Sequence, residues 1–259
     1  MADGTIARSV PIRGPRDVAA RMEWHVQLAG KGHAGPLSSD IPEAIRSGAA
    51  ALGHRPAVTV LHPASRYEQS GASLANWAAK GAHLLQLDHA VAAGDPVGLL
   101  APPCWTSASA ALAAWWLGAI VDLSGAGAVS LVHQHRTAPQ GAGAVLRLGD
   151  GLDGGPQGAS SDPVWTHEAQ PMPDHPPPAA GEAHAPALRI DGRLLSQEDL
   201  LGLATSLPPG TAGVEEERTD PVTALVAVAL RPLVTGHATV VLRGVGRETA
   251  APERVSVWC

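Results

Sequence analysis

Residues 94–124 read GDPVGLLAPPCWTSASAALAAWWLGAIVDLS, and this stretch decides the fold. Gly94-Asp95-Pro96 predicts a turn, Val97 to Leu100 a short buried strand, and Pro102-Pro103 a stop before a helix from about Thr106 to Leu117. Ala119 to Leu123 reads as the next strand. Each piece is apolar through its length, as a parallel βαβ unit covered on both faces requires. The expected class is α/β, a mostly parallel sheet with helices on both faces.

On the N-terminal side, Ala72 to Asp88 is the clearest helix, with Leu74, Trp77, Ala78, Gly81, Leu84 and Leu85 spaced by threes and fours. Ala57 to Leu61 and Arg66 to Gln69 predict a hairpin. Before it, Asp40 is placed to cap a helix that tolerates Pro42 in its first turn and ends near Gly53. Residues 1–40 read as a loosely ordered extension with one short helix over 17–28, and residues 41–259 as one α/β domain.

On the C-terminal side, strands are expected at Ala128 to His133 and Ala144 to Leu148. A Gly/Pro/His-rich insertion follows at about 149–186, in which Pro176-Pro177-Pro178 should be extended and solvated. Ala187 to Ile190 predicts a strand, Asp191-Gly192 a turn, and Ser196 with Asp199 a capped helix running to Ser206. A helix from Pro221 to Val234, interrupted at Pro232, precedes a strand from Ala238 to Leu242.

Composition removes several classes of function. The chain has 259 residues, 45% hydrophobic and 16% charged, so it is not a wholly disordered polymer. Phe is absent and Tyr occurs once, so alanine and tryptophan must fill the core. A net charge of -6, without a basic stripe, leaves nucleic acid no electrostatic footprint. Ala108 to Val121 is shorter than the roughly 20 residues a membrane span needs, and Met1 to Pro11 lacks a secretory pattern. The expected location is the cytoplasm, with a small molecule or another protein as partner. Cys104 and Cys259 are too few and too isolated for a disulfide framework or zinc site.

The search for chemistry yields no catalytic residue and no metal ligand. Gly125-Ala126-Gly127 follows a strand, but Ser130 stands where a dinucleotide fingerprint needs its third glycine. Lys31 and Lys80 are the only lysines, and neither belongs to a Gly-Lys-Ser/Thr phosphate cradle. His133, His135, His167, His175 and His184 form the densest histidine group, read as solvated loop residues rather than metal ligands. Cys104 reads as a small buried thiol because no signature supplies its base. Trp105, Trp115 and Trp116 read as core, and no Gly-x-Ser-x-Gly elbow is present.

Several segments nevertheless occur in a familiar order. Ser73-Leu74-Ala75-Asn76-Trp77-Ala78-Ala79-Lys80, Gly94-Asp95-Pro96-Val97 with Leu99 to Pro103, and Ala113-Ala114-Trp115-Trp116-Leu117-Gly118-Ala119 resemble the opening of AMP-binding, adenylate-forming enzymes. The Asn-Trp-x-x-Lys and Trp-Trp-x-Gly-Ala variants resemble a short actinobacterial family distantly similar to acyl-CoA synthetases. Leu194 to Leu201 resembles the helix after the superfamily's phosphate loop, and Arg231 to Val241 its later helix, glycine turn and strand.

The resemblance implies the fold of that N-terminal domain and, in a complete enzyme, ATP-dependent activation of a carboxylic acid. ATP or AMP is implied by the resemblance alone. It also implies a Ser/Thr/Gly-rich loop with a lysine before Leu194, yet Gly181 to Arg193 contain no Ser, Thr or Lys. The adenine and ribose motifs and the lysine-bearing C-terminal domain are expected beyond Cys259. Arginine cannot replace that lysine's ammonium. The expectation is a truncated, non-catalytic relative acting as a binding or interaction module, with an acid-activating ligase as the alternative.

Overall fold

The computed structural model describes residues 40–157 and 160–259. The helix expected over 17–28, Lys31 and all of the expected extension except Asp40 lie outside these residues.

Helix α1 (Ile41–Leu52) starts where Asp40 accepts the Glu43 amide at 2.8 Å, with Pro42 in the first turn. Strands β1 (Pro56–His62) and β2 (Ser65–Ser70) pair antiparallel, forming the expected hairpin. Ser70 then caps α2 (Gly71–Leu87), which buries Leu74, Ala78, Gly81, Leu84 and Leu85 along one stripe. The βαβ unit follows as β3 (Pro96–Leu100), α3 (Trp105–Trp116) and β4 (Ile120–Asp122), with β3 and β4 paired in parallel.

The remaining elements are β5 (Val129–His133), β6 (Ala144–Leu148), α4 (Trp165–Ala169), β7 (Pro186–Ile190) and β8 (Arg193–Ser196). They continue as α5 (Gln197–Ser206), β9 (Ala212–Glu215), α6 (Pro221–Ala229) and α7 (Arg231–Thr235). The chain then forms β10 (Thr239–Leu242), a 3-10 helix (Arg247–Glu253) and β11 (Val257–Trp258). Pro232 acts as expected, since its missing N–H falls in the first turn of α7, where no helical partner is needed.

The strands divide into two sheets. One has the order β6-β5-β3-β4-β7-β8, parallel except for β8, and the other the order β11-β9-β10-β1-β2, parallel except for β2. Helix α3 contacts β3 and β4 of the first sheet and β1 of the second. All twelve of its residues are buried. An apolar all-round helix is stable only in such a position, so WTSASAALAAWW is the hub of the core. Small residues let its neighbours approach closely, and Trp115 donates its indole N–H to the Ala187 carbonyl at 2.7 Å, tying α3 to β7.

Two expectations about the later segments need correction. Leu194 and Leu195 belong to strand β8, not to the helix. Helix α5 begins at Gln197 because the Ser196 and Asp199 side chains cap each other's backbone amides. Pro177 is buried rather than solvated, since its carbonyl accepts the Trp116 indole N–H at 2.8 Å. The neighbouring residues are pinned to α2 by Lys80, which donates to the Gln170 and Met172 carbonyls and pairs with Asp174.

Candidate functional site

Parallel strands deliver the residues that follow them to one end of a sheet, and ligand clefts in α/β folds form outside those carboxyl ends. Here both sheets contribute. Leu99 to Pro103 leave β3, Leu123 leaves β4, Arg136 follows β5 and Glu216 follows β9, and these residues meet the start of α6 around a cavity of about 220 Å³. Its walls include Leu123, Ala224 and Leu225, while Arg136 and Glu216 bring charge to it. Gly98 of β3 lets the Gly125 backbone pack closely against it, since a Cβ there would lie 2.0 Å from the Gly125 carbonyl oxygen.

Behind the cleft lies a charge cluster that joins the sheets. Arg243, just beyond β10, donates to the carboxylates of Asp150 and, at 2.5 Å, Glu216, and to the Pro103 carbonyl at 3.2 Å. Asp150 also accepts from Gln134 at 3.1 Å and bonds His133 Nε2 at 2.9 Å. His133 is almost fully buried, and burial, aided by the positive charge of Arg243, pushes its imidazole down to about 3. It is therefore neutral near pH 7 despite the adjacent carboxylate, donating to Asp150 from Nε2. Burial raises the Glu216 carboxyl above the ordinary range, while Arg136 acts in the opposite direction.

The segment before Leu194 forms a turn of two residues. Ile190 pairs with Arg193 across β7 and β8, and between them Asp191 and Gly192 take φ values of 49° and 76°. Asp-Gly with both φ positive is the two-residue turn that matches hairpin twist. Such a turn presents no run of free amides to a triphosphate. Nor does the start of α5, where the Ser196 side chain accepts the Asp199 amide and the Ala183 carbonyl accepts the Glu198 amide. The residues expected to hold the phosphates of ATP therefore do not fit that group.

Other residues singled out in the sequence fall into structural roles. Gly125-Ala126-Gly127 leads into strand β5, not a helix, and Gly125 packs across β3. Cys104 is buried at the start of α3, beside Thr106 at 3.1 Å. Trp105, Trp115 and Trp116 are core residues, each donating its indole N–H to a backbone carbonyl. Among the histidines, His133 is a correction, being buried in the charge cluster rather than solvated. His135, His167, His175 and His184 are exposed. Among the described residues, no group of three or more His, Cys, Asp or Glu side chains could hold a metal ion, and no helix is long and apolar enough to cross a membrane.

Arg136, Asp150, Glu216 and Arg243 were not singled out by the sequence. Three of them lie one to three residues beyond an expected strand, so a charged residue just after an apolar run was the available signal. Glu216 follows β9, whose Ala-Gly-Val-Glu sequence is too short and too weakly apolar to stand out.

No family model matches the sequence. A Mycobacterium tuberculosis protein known only by a numbered family name is 41% identical over 54 residues, 21% of this chain and 22% of its own. The fold is similar to that of an acyl-CoA synthetase from Brucella canis, with a TM-score of 0.68 and 14% identity over 94% of this chain and 51% of that one. It is also similar to the N-terminal domain of FACL13 from Mycobacterium tuberculosis (TM-score 0.64, 14% identity, 85% of this chain and 62% of that one). A third similar structure is a fatty acyl-adenylate ligase from L. pneumophila in complex with acyl adenylate and pyrophosphate (TM-score 0.61, 14% identity, 85% and 44%). The chain thus spans about half the length of the Brucella synthetase, and the likeness is one of fold.

Proposed function

We propose, from the fold this chain shares with the N-terminal domain of adenylate-forming enzymes, that it binds a small molecule in the cleft at its strand ends without adenylating it. The two-residue turn at Asp191-Gly192 carries this reading, because the sequence resemblance implies a phosphate loop just before Leu194 and the chain forms a tight hairpin there. Lys80 agrees with this reading, since its ammonium is engaged with the Gln170 and Met172 carbonyls. Binding needs only a cleft with apolar walls and a few positioned charges.

The alternative is an acid-activating, acyl-CoA synthetase-like ligase completed by a partner chain, a reading favoured by the shared fold. Incubation with ATP, a panel of carboxylic acids and labelled pyrophosphate separates the two. The expected result is no acid-dependent exchange of label into ATP, whereas exchange would establish the ligase. Thermal-shift titration with ATP and AMP complements it, since a ligand bound only by the folded state raises apparent stability.

A further inference from the structure

Arg136 and Glu216 line the same cavity but do not form an ion pair, so their atoms lie farther apart than 4.0 Å. Both are held in place from behind. The Arg136 amide donates to the His133 carbonyl at 2.8 Å, and its own carbonyl accepts from Arg147 at 2.9 Å. Its guanidinium has no hydrogen-bond partner among the described residues. Glu216 is fixed through Oε2 by Arg243, which leaves Oε1 free of any hydrogen bond among the described residues.

The cavity brings charges of both signs together. Among the described residues Arg243 is the one cation bonded to the two carboxylates of Asp150 and Glu216, and the neutral His133 adds nothing. That cluster faces the cleft with one negative charge in excess, while Arg136 carries an unpaired positive charge at the same cavity. A plain carboxylic acid would satisfy Arg136 and leave Glu216 beside its apolar body. A plain amine would do the reverse. Either ligand engages one charge of the site, whereas a molecule carrying both signs engages Arg136 and Glu216 together.

We infer that the ligand of this cleft is a small zwitterion with an apolar body, such as an apolar amino acid, its anionic group on Arg136 and its cationic group on Glu216. A cavity of about 220 Å³ limits it to a molecule smaller than a typical drug-sized ligand. Leu123, Ala224 and Leu225 receive the apolar body, and charge-assisted hydrogen bonds fix the head group. Arg136 is thus a specificity-determining residue. This inference rests on the cleft being the binding site proposed above.

The test is calorimetric titration of the full chain with alanine, valine, leucine and phenylalanine, then with the deaminated acid and the decarboxylated amine of the tightest of them. The zwitterion is expected to bind at least about tenfold more tightly than either half-charged analogue, since a lost charged hydrogen bond is worth roughly that factor. Arg136→Gln, at an exposed position, should remove that advantage over the amine while leaving the fold intact. Equal binding of the acid, or unchanged amino-acid affinity in Arg136→Gln, overturns the zwitterion inference but leaves a binding cleft. Binding by none of the amino acids, acids or amines overturns the zwitterion inference, and if ATP and AMP also leave the melting temperature unchanged the binding-cleft reading falls with it.

Discussion

Arg243 and Asp150 form an ion pair that crosses between the two sheets, since Arg243 follows β10 of one and Asp150 follows β6 of the other. Both side chains are largely withdrawn from water, with 13% and 14% of their surface exposed. Arg243 also bonds Glu216 and the Pro103 carbonyl, both from residues that line the cleft. Removing one partner of such a pair leaves the other charge unsatisfied. Arg243→Ala should therefore lower unfolding free energy by about 3 kcal/mol, read as a drop in the urea midpoint at unchanged slope. A loss below about 1 kcal/mol would show that the sheets are held without it.

His133 sets a pH dependence whose sign follows from its burial. Its folded pKa of about 3 lies below the ordinary 6.5, so the unfolded chain binds the extra proton first as pH falls. Its contribution is complete above pH 6.5 and is lost between there and about 3, with a slope approaching roughly 1.4 kcal/mol per pH unit. Glu216, raised by burial, acts oppositely, favouring the folded state at low pH. His133→Gln keeps a donor for Asp150 but cannot titrate. Urea unfolding at pH 6.5 and pH 4.5 should show a shallower loss in that variant than in the natural chain.

Gly98 lies in the centre of β3, and an added Cβ would lie 2.0 Å from the Gly125 carbonyl oxygen, a backbone atom that cannot rotate aside. Gly98→Ala should cost roughly 3 kcal/mol through forced backbone displacement. Gly192→Ala, with open space around it but a φ of 76°, should cost about 1 kcal/mol. Thermal unfolding of the two variants separates a steric clash from a conformational penalty.

Lys80 clamps residues 170–174 onto α2 through two carbonyls and Asp174. Lys80→Met retains the buried stem and removes the ammonium. Amide hydrogen exchange should accelerate about tenfold at Gln170 and Met172, whose amides donate to Thr166 and Ala169, while the β3 and α3 amides stay protected, consistent with local opening at a cost of about 1–2 kcal/mol. Uniform acceleration throughout the chain would mean that Lys80 supports the whole core.

The limits of the sequence are local. The βαβ unit was legible at residues 94–124 because each element is apolar along its full length and is bounded by Gly or Pro. The caps at Asp40 and Ser196 were legible because capping is a contact between residues three apart. Strand β8 was not legible because Arg193 to Leu195 is too short to carry a period, the family resemblance placed Leu194 and Leu195 in the helix, and only pairing with β7 makes them a strand.

The sequence by itself determined the α/β class, the central helix, most of the strands and the absence of a Gly-Lys-Ser or Gly-Lys-Thr motif from the given residues. Those properties are written in neighbouring residues. Only the tertiary structure decided that the strands split into two sheets sharing α3, that His133 is buried and neutral, and that Arg136 and Glu216 face one cavity. Residues 80 positions apart in the chain meet there because parallel strands carry their ends to one side. No spacing along the sequence encodes which ends will coincide.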